Sequence, residues 1–298
     1  MHVFVTGASG YIGSAVVEEL LENGHSVLGL ARSDTTAKAL EVAGAEVHRG
    51  DLEDLTSLRA GAAKADAVIH LGFNHDFSKF AETCAHDARV IHAIGAELAG
   101  SDKLFLVTSG TAILAPGTVS TELTNVPAGV IAHPRVATEQ ACAEIAKVGV
   151  KVASIRLAPS VHGEDDRGFV YFVAEFARQN GVSAFIDEGK NRWSAVHRLD
   201  AARLYRLALE KGEGGVHYHG VAEGAIPFKK IAEALGRSLD LPVSSKSGDE
   251  AERHFDWFTF LASSDTPASS VWTRETLEWA PTQPGLISDI NNGAYRSE

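Results

Sequence analysis

Cysteine, methionine and proline are scarce in this chain: two, one and nine residues among 298. Two cysteines, Cys84 and Cys142, cannot build a disulfide framework, and neither a CxxC spacing nor a nearby histidine cluster gives them a zinc-ligand pattern. They read as buried free thiols. Positive charge is also short, because 27 Lys and Arg against 39 Asp and Glu leave a net charge of −12. That balance excludes a general phosphate-binding surface and so a nucleic-acid partner. An anion must instead be held locally, by backbone amides and one or two arginines. Long apolar runs are missing too: stretches such as Val68-Ile69-His70-Leu71-Gly72-Phe73 fall far short of the ~20 residues of a membrane span. Met1-His2-Val3-Phe4-Val5-Thr6-Gly7 carries no basic region, no long apolar stretch and no cleavage site, so a cytoplasmic protein without a membrane partner is expected.

What is present is ordinary globular composition, 45% hydrophobic and 22% charged, at a length of about two domains. Short apolar runs at 2–6, 26–31, 45–48, 66–71, 103–108 and 151–157 alternate with amphipathic stretches at 11–23, 35–43, 54–63, 76–99 and 134–147. This rhythm is that of βαβ units, so an α/β fold with a doubly wound parallel sheet is expected. The rhythm weakens after Leu157. Helices are expected near 167–180, 227–237 and 249–261, and Asp200 is placed to cap a helix over 201–210. The organisation predicted is a dinucleotide-binding Rossmann domain over 1–158 with 191–213. A smaller C-terminal α+β substrate lobe takes 159–190 with 214–298.

The strongest motif is Thr6-Gly7-Ala8-Ser9-Gly10-Tyr11-Ile12-Gly13, which follows an apolar strand and opens an amphipathic helix. Glycines there permit a tight turn and close backbone approach to a pyrophosphate, which the helix N-terminus then receives. The cofactor is therefore predicted to be a dinucleotide held by Gly7, Ser9, Gly10, Tyr11, Ile12 and Gly13. An acid at the end of the second strand would select NAD. Ala31-Arg32-Ser33 stands there instead. Arg32 and Ser33 suit a 2′-phosphate and predict NADP(H), with Asp34 one residue further on as the feature that speaks against it.

The Thr-Gly-x-x-Gly-x-x-Gly turn, Asp51-Leu52, His70-Leu71-Gly72, Thr108-Ser109, Arg156-Leu157 through Gly163, and Val196-His197-Arg198-Leu199-Asp200 together resemble the extended short-chain dehydrogenase/reductases. The resemblance spans roughly residues 1–280. It implies that Asp51 and Leu52 contact the adenine, that Leu71, Gly72 and Phe73 line the ribose and pyrophosphate, and that Thr108 borders the cofactor. It also implies that Pro159 and Ser160 sit near the nicotinamide amide, and that a homodimer forms through helices 76–99 and 134–147.

The chemistry departs from that family, whose reductases use a tyrosine and a lysine four residues later. In His133-Pro134-Arg135-Val136-Ala137-Thr138-Glu139, Arg135 stands at the tyrosine position and Glu139 at the lysine position. Arginine keeps its proton throughout the physiological range, and a glutamate raises its neighbours' pKa values. The usual acid is thus missing. Arg135 and Glu139 read equally as an (i, i+4) ion pair of about 0.3–0.5 kcal/mol or as a device turning Arg135 towards a substrate or a cofactor phosphate. Replacement donors are Ser109, Thr111, Tyr171 and His133. Alternatively, Arg135 stabilises an oxyanion while water supplies the proton, or the substrate is an iminium or activated alkene. Elsewhere His162 and His197 follow sheet strands and face the expected cleft, His217 and His219 lack a third metal ligand, and no metal is expected. Trp193, Trp257, Phe258 and Phe260 read as pocket walls or core.

The function expected is hydride transfer between NADP(H) and a small carbonyl or imine. A catalytically inactive NADP(H)-binding sensor and a sugar-nucleotide epimerase are the competing expectations.

Overall fold

The computed structural model describes residues 1–126 and 133–296. Strands and helices alternate through the first half: β1 (His2–Thr6), α1 (Tyr11–Glu22), β2 (Ser26–Ala31), α2 (Asp34–Ala43), β3 (Glu46–Arg49), α3 (Leu55–Lys64), β4 (Ala67–His70), α4 (Phe80–Leu98), β5 (Phe105–Gly110), α5 (Val136–Lys147) and β6 (Val152–Leu157). The second half adds β7 (Ser160–His162), α6 (Phe169–Asn180), β8 (Ser183–Ile186), β9 (Arg192–His197), α7 (Arg198–Lys211), β10 (His217–Gly220), β11 (Glu223–Pro227), α8 (Phe228–Leu239) and β12 (Val243–Lys246). Short helices α9 (Gly248–Phe255), α10 (Thr259–Ser263), α11 (Val271–Leu277) and α12 (Leu286–Asn291) close the chain.

The central sheet has seven parallel strands in the order β10-β6-β5-β4-β1-β2-β3. It is the doubly wound Rossmann sheet that the βα rhythm predicts. The order reverses between β1 and β4, so the C-terminal ends of those strands open the crevice in which such sheets bind ligands. Strands buried on both faces need apolar residues at every position, and β4 and β6 are buried throughout. One face packs against α1 and α7 around Val16, Leu20, Leu204 and Ala208. The other packs against α3, α4 and α5 around Leu58, Val90, Ile94 and Ile145. A separate core around Phe228, Phe255, Phe258 and Leu235 holds the smaller lobe.

Three expectations are corrected. β10, expected in the substrate lobe, is the edge strand beside β6. Gly215 at φ +83° returns the chain there, and its amide donates to Val152 O at 2.7 Å. β9, expected with the Rossmann domain, joins β7 and β11 in a three-stranded sheet. Asp200 does not cap α7; the His197 side chain accepts from Leu199 N, and the Asp200 carboxylate accepts from Thr282 N and Gln283 N at 2.9 and 3.0 Å.

Candidate active site

Gly7 turns the chain out of β1 at φ +66°. A Cβ on Gly7 would lie 2.7 Å from Gly72 N, and one on Gly13 only 1.9 Å from Gly7 O. Glycine is required at both places: the first brings the turn against the exit of β4, and the second lets α1 start directly on the turn. Gly10 N donates to Gly7 O at 2.9 Å, and α1 begins with no side-chain cap and no acid in its first turn. Its leading amides and positive dipole end therefore remain available to a diphosphate. Ser9 and Gly10 are exposed beside them, and Tyr11 and Ile12 are half-buried.

At the end of β2 Arg32 is exposed. The Ser33 side chain accepts from Thr36 N and caps α2. Asp34 is drawn aside, because Arg49 Nη2 donates to its Oδ1 at 2.7 Å. Asp51 Oδ1 accepts from the amides of Glu53 and Asp54, which leaves its second oxygen facing out of the turn. Leu52 packs over Gly72, its Cδ2 standing 3.1 Å from where a Cβ would be. Leu52, Gly72 and Gly7 are in direct contact, so the exit of β4 closes on the glycine turn. Further along, Pro159 is half-buried, and the Ser160 hydroxyl is buried with no hydrogen-bond partner among the described residues.

A buried polar chain runs from this turn to Arg135. The Gly72 amide donates to Thr6 Oγ1 at 3.1 Å, Thr6 Oγ1 meets His70 Nδ1 at 2.6 Å, and His70 Nε2 meets Asp87 Oδ1 at 3.1 Å. Asp87 Oδ2 accepts from Thr138 Oγ1 at 2.6 Å and lies 3.2 Å from Arg135 Nη1. With Nε2–H donating to the carboxylate, His70 accepts the Thr6 hydroxyl at Nδ1, while Arg135 Nη1 is buried beside Asp87 without a hydrogen-bond partner among the described residues. Burial acts to raise the Asp87 carboxyl, but Arg135, His70 and Thr138 override it and hold it below the usual carboxylate range. Arg135 also donates from Nη2 to Thr108 O at 3.1 Å, and its guanidinium lies 3.8 Å over the Phe73 ring.

Arg135 and Glu139 do not pair. Glu139 instead accepts two bonds from the buried Arg156, Nε to Oε1 at 2.7 Å and Nη2 to Oε2 at 2.6 Å. The reason is geometric: Glu139 faces β5 and β6, whereas Arg135, in the cap before α5, faces α4. Ser109 shares the Glu139 side, where it is buried and donates to Oε1 at 2.9 Å. Thr111 is buried as well, its hydroxyl 3.4 Å from Ser194 Oγ. Tyr171 lies beneath Arg167 at 4.8 Å and meets Phe172 edge-on, in the smaller lobe, and makes no described contact with Arg135 or His133. His133 remains. Its Nδ1 accepts from Arg135 N at 3.3 Å, which assigns the proton to Nε2. Burial, and then Arg135, hold His133 below the usual imidazole range, so the ring is neutral at pH 7.

Sequence reading missed Asp87, Thr138 and Tyr205. Asp87 carried a legible signal, since it interrupts the apolar stripe Cys84, Ile91, Ile94, Leu98 on the buried face of α4, where a carboxylate needs partners. Tyr205 comes from α7 to donate to Thr108 Oγ1 at 2.7 Å, which no spacing foretold. The histidines beyond β6 are drawn into other contacts. His162 Nδ1 donates to Asp289 Oδ2 at 2.6 Å, and His219 Nδ1 donates to Ser269 O at 2.8 Å. A shallow cleft at the opposite edge of the sheet, between Met1, Asp66, Asp102 and Lys151, lies away from all of these groups.

A glycine cradle at the switch point of an open parallel sheet defines a dinucleotide-binding Rossmann protein. The model of the NAD dependent epimerase/dehydratase family matches residues 3–222, and the chain belongs to that family. It is 47% identical over 296 residues to the uncharacterized protein C2A9.02 of Schizosaccharomyces pombe, covering 99% of this chain and 100% of that one. It is 30% identical over 262 residues to the 2-alkyl-3-oxoalkanoate reductase of Stenotrophomonas maltophilia, covering 83% and 78%. Among solved structures the fold matches a UDP-glucose 4-epimerase of Thermotoga maritima with a TM-score of 0.73, 19% identity, and 99% and 98% of the two chains covered.

Proposed function

We propose that the protein is an NADP(H)-dependent oxidoreductase that reduces a small carbonyl compound. The observation that carries this reading is the pairing of Arg135 with neutral His133 at the end of β5, where the family's tyrosine would stand. The nicotinamide, when bound, supplies the hydride. The chain must then stabilise the oxygen on which charge develops. Arg135, anchored by Asp87 and Thr108 O, offers its remaining N–H groups to that oxygen, and His133 offers Nε2–H. A neutral imidazole polarises a carbonyl without giving up its proton, and water completes the alcohol. The anchoring of Arg135 by Asp87 and Thr108 O, with its buried Nη1 left unpartnered among the described residues, favours this reading over an inactive sensor. An epimerase is disfavoured by the absent tyrosine base. The named reductase among the relatives supports the same class.

NADP(H) rather than NAD(H) is proposed because Arg32 is exposed at the end of β2, where it would meet a 2′-phosphate, and Asp34 is paired with Arg49 at the surface. Ser160 offers its unpartnered hydroxyl to the carboxamide end. Equilibrium titration tests the assignment: NADPH is expected to bind at least about tenfold tighter than NADH. Arg32→Ala should erase about tenfold for NADPH, equivalent to about 1.4 kcal/mol, and leave NADH within about twofold. Tighter binding of NADH to the unmodified protein would reject it. The described helices include none long and apolar enough to cross a membrane, and we propose a cytoplasmic enzyme whose α4 and α5 faces form a homodimer.

A further inference from the structure

Between Arg135 and the surface runs a lane of aromatic rings contributed by both parts of the molecule. Phe73 lies under Arg135 and edge-on to Phe80 at 6.1 Å, and His133 meets Phe80 at 5.4 Å. Phe80 stacks on Phe77 at 5.7 Å and 27°, and Phe77 stacks on Trp257 at 5.3 Å and 25°. Phe77 belongs to the single 3-10 turn Phe77–Lys79 ahead of α4, whereas Trp257 belongs to the smaller lobe. The stack therefore bridges the two.

The outer wall is fixed from behind. Trp257 meets Phe172 edge-on at 5.3 Å and Phe258 at 5.4 Å, and Phe258 is fully buried. Trp257 itself is 46% exposed. A large ring held rigidly yet left partly open to water is poorly explained by stability alone, because its burial is incomplete. At the inner end of the lane the cation is Arg135, which Asp87 faces at 3.2 Å, while Lys79 stands exposed in the outer turn. A carboxylate at the inner end therefore meets an arginine already paired with Asp87.

We propose that the substrate is an uncharged aryl or conjugated carbonyl compound whose flat ring joins the Phe80–Phe77–Trp257 stack while its oxygen meets Arg135 and His133. This rests on the reductase reading for its carbonyl and on the ring geometry for its shape. Stacking of flat rings is favoured over contact with a puckered ring of the same size. Trp257, 46% exposed at the outer end of the stack, is the ring on which such a substrate ring would pack.

The test compares benzaldehyde, cyclohexanecarbaldehyde and 4-formylbenzoate as substrates with saturating NADPH, in the unmodified protein and in Trp257→Leu. Trp257 is half-open to solvent, so this replacement leaves the fold intact, checked by thermal denaturation. Benzaldehyde is expected to exceed cyclohexanecarbaldehyde by about tenfold in kcat/KM, and 4-formylbenzoate to fall about fivefold or more below benzaldehyde. Trp257→Leu should reduce the first ratio to about twofold. Equal use of the cyclohexyl aldehyde, preference for the carboxylated one, or an unchanged ratio in the variant would overturn the proposal. If no aldehyde is reduced, the reductase reading fails by itself, and the lane is tested by calorimetry with benzyl alcohol and cyclohexylmethanol in the presence of NADP+. Tighter binding of benzyl alcohol, by about fivefold and lost in Trp257→Leu, upholds the lane; equal affinities reject it.

Discussion

Asp87 carries more of the site than any residue legible as catalytic. It is 4% exposed, and it holds Arg135 through one oxygen while tying His70 and Thr138 to the same carboxylate. Removing one member of a buried ion pair leaves the other charge uncompensated, which costs about 3–5 kcal/mol. Asp87→Ala is therefore expected to lower the denaturation free energy by about 3 kcal/mol or more, measured in urea, and to abolish turnover. Thr138→Val, which removes a hydroxyl and no charge, should cost about 1–2 kcal/mol. The sign with pH follows from the depressed Asp87 carboxyl. Its contribution is fully present above the unfolded carboxylate pKa and is lost as pH falls through the lower folded value. The acid limb of the urea midpoint should accordingly be shallower in Asp87→Ala than in the unmodified protein. Equal limbs would place the buried charge elsewhere.

At the scale of elements the glycine turn and α1 act as one part. Gly7 and Gly13 are fixed by contacts that leave no room for a Cβ, and the first amides of α1 depend on both. Gly13→Ala should weaken NADPH and NADH together, because it displaces the pyrophosphate cradle, whereas Arg32→Ala separates the two. Titration of both cofactors against both variants distinguishes cradle from rim, and a Gly13→Ala protein with unaltered affinities would contradict the cradle. The βα rhythm made these elements legible in advance, since apolar strands between amphipathic helices have few other arrangements. What was illegible depended on contacts between distant segments. The helix expected over 249–261 breaks because Asp256 takes φ +49°, letting Phe255 and Phe258 both enter the smaller core while Trp257 faces the rings of α4's leading turn. Arg135 caps α5 and Glu139 lies in its first turn, yet their spacing said nothing of Asp87 or Arg156, which arrive from α4 and β6. Charge pairs at helical spacing yield to buried partners when those offer two hydrogen bonds.

For the whole molecule, net charge of −12 coexists with a site that gathers its few useful cations at separate points. On the proposed reading Arg32 meets the adenosine end of the cofactor and Arg135 the carbonyl, with the glycine turn holding the diphosphate. The two lobes meet at this site, with the sheet supplying the cradle and the smaller lobe supplying Trp257. On the same reading this arrangement delivers hydride to a carbonyl carbon without a tyrosine acid. It is tested most directly by incubating the protein with NADPH deuterated at C4, in each stereochemical form, and benzaldehyde, and examining the alcohol by mass spectrometry. One of the two labelled cofactors is predicted to place a single deuterium on the carbinol carbon, and Arg135→Ala to abolish the transfer. Tight NADPH binding with no deuterium in the alcohol from either label would contradict the claim.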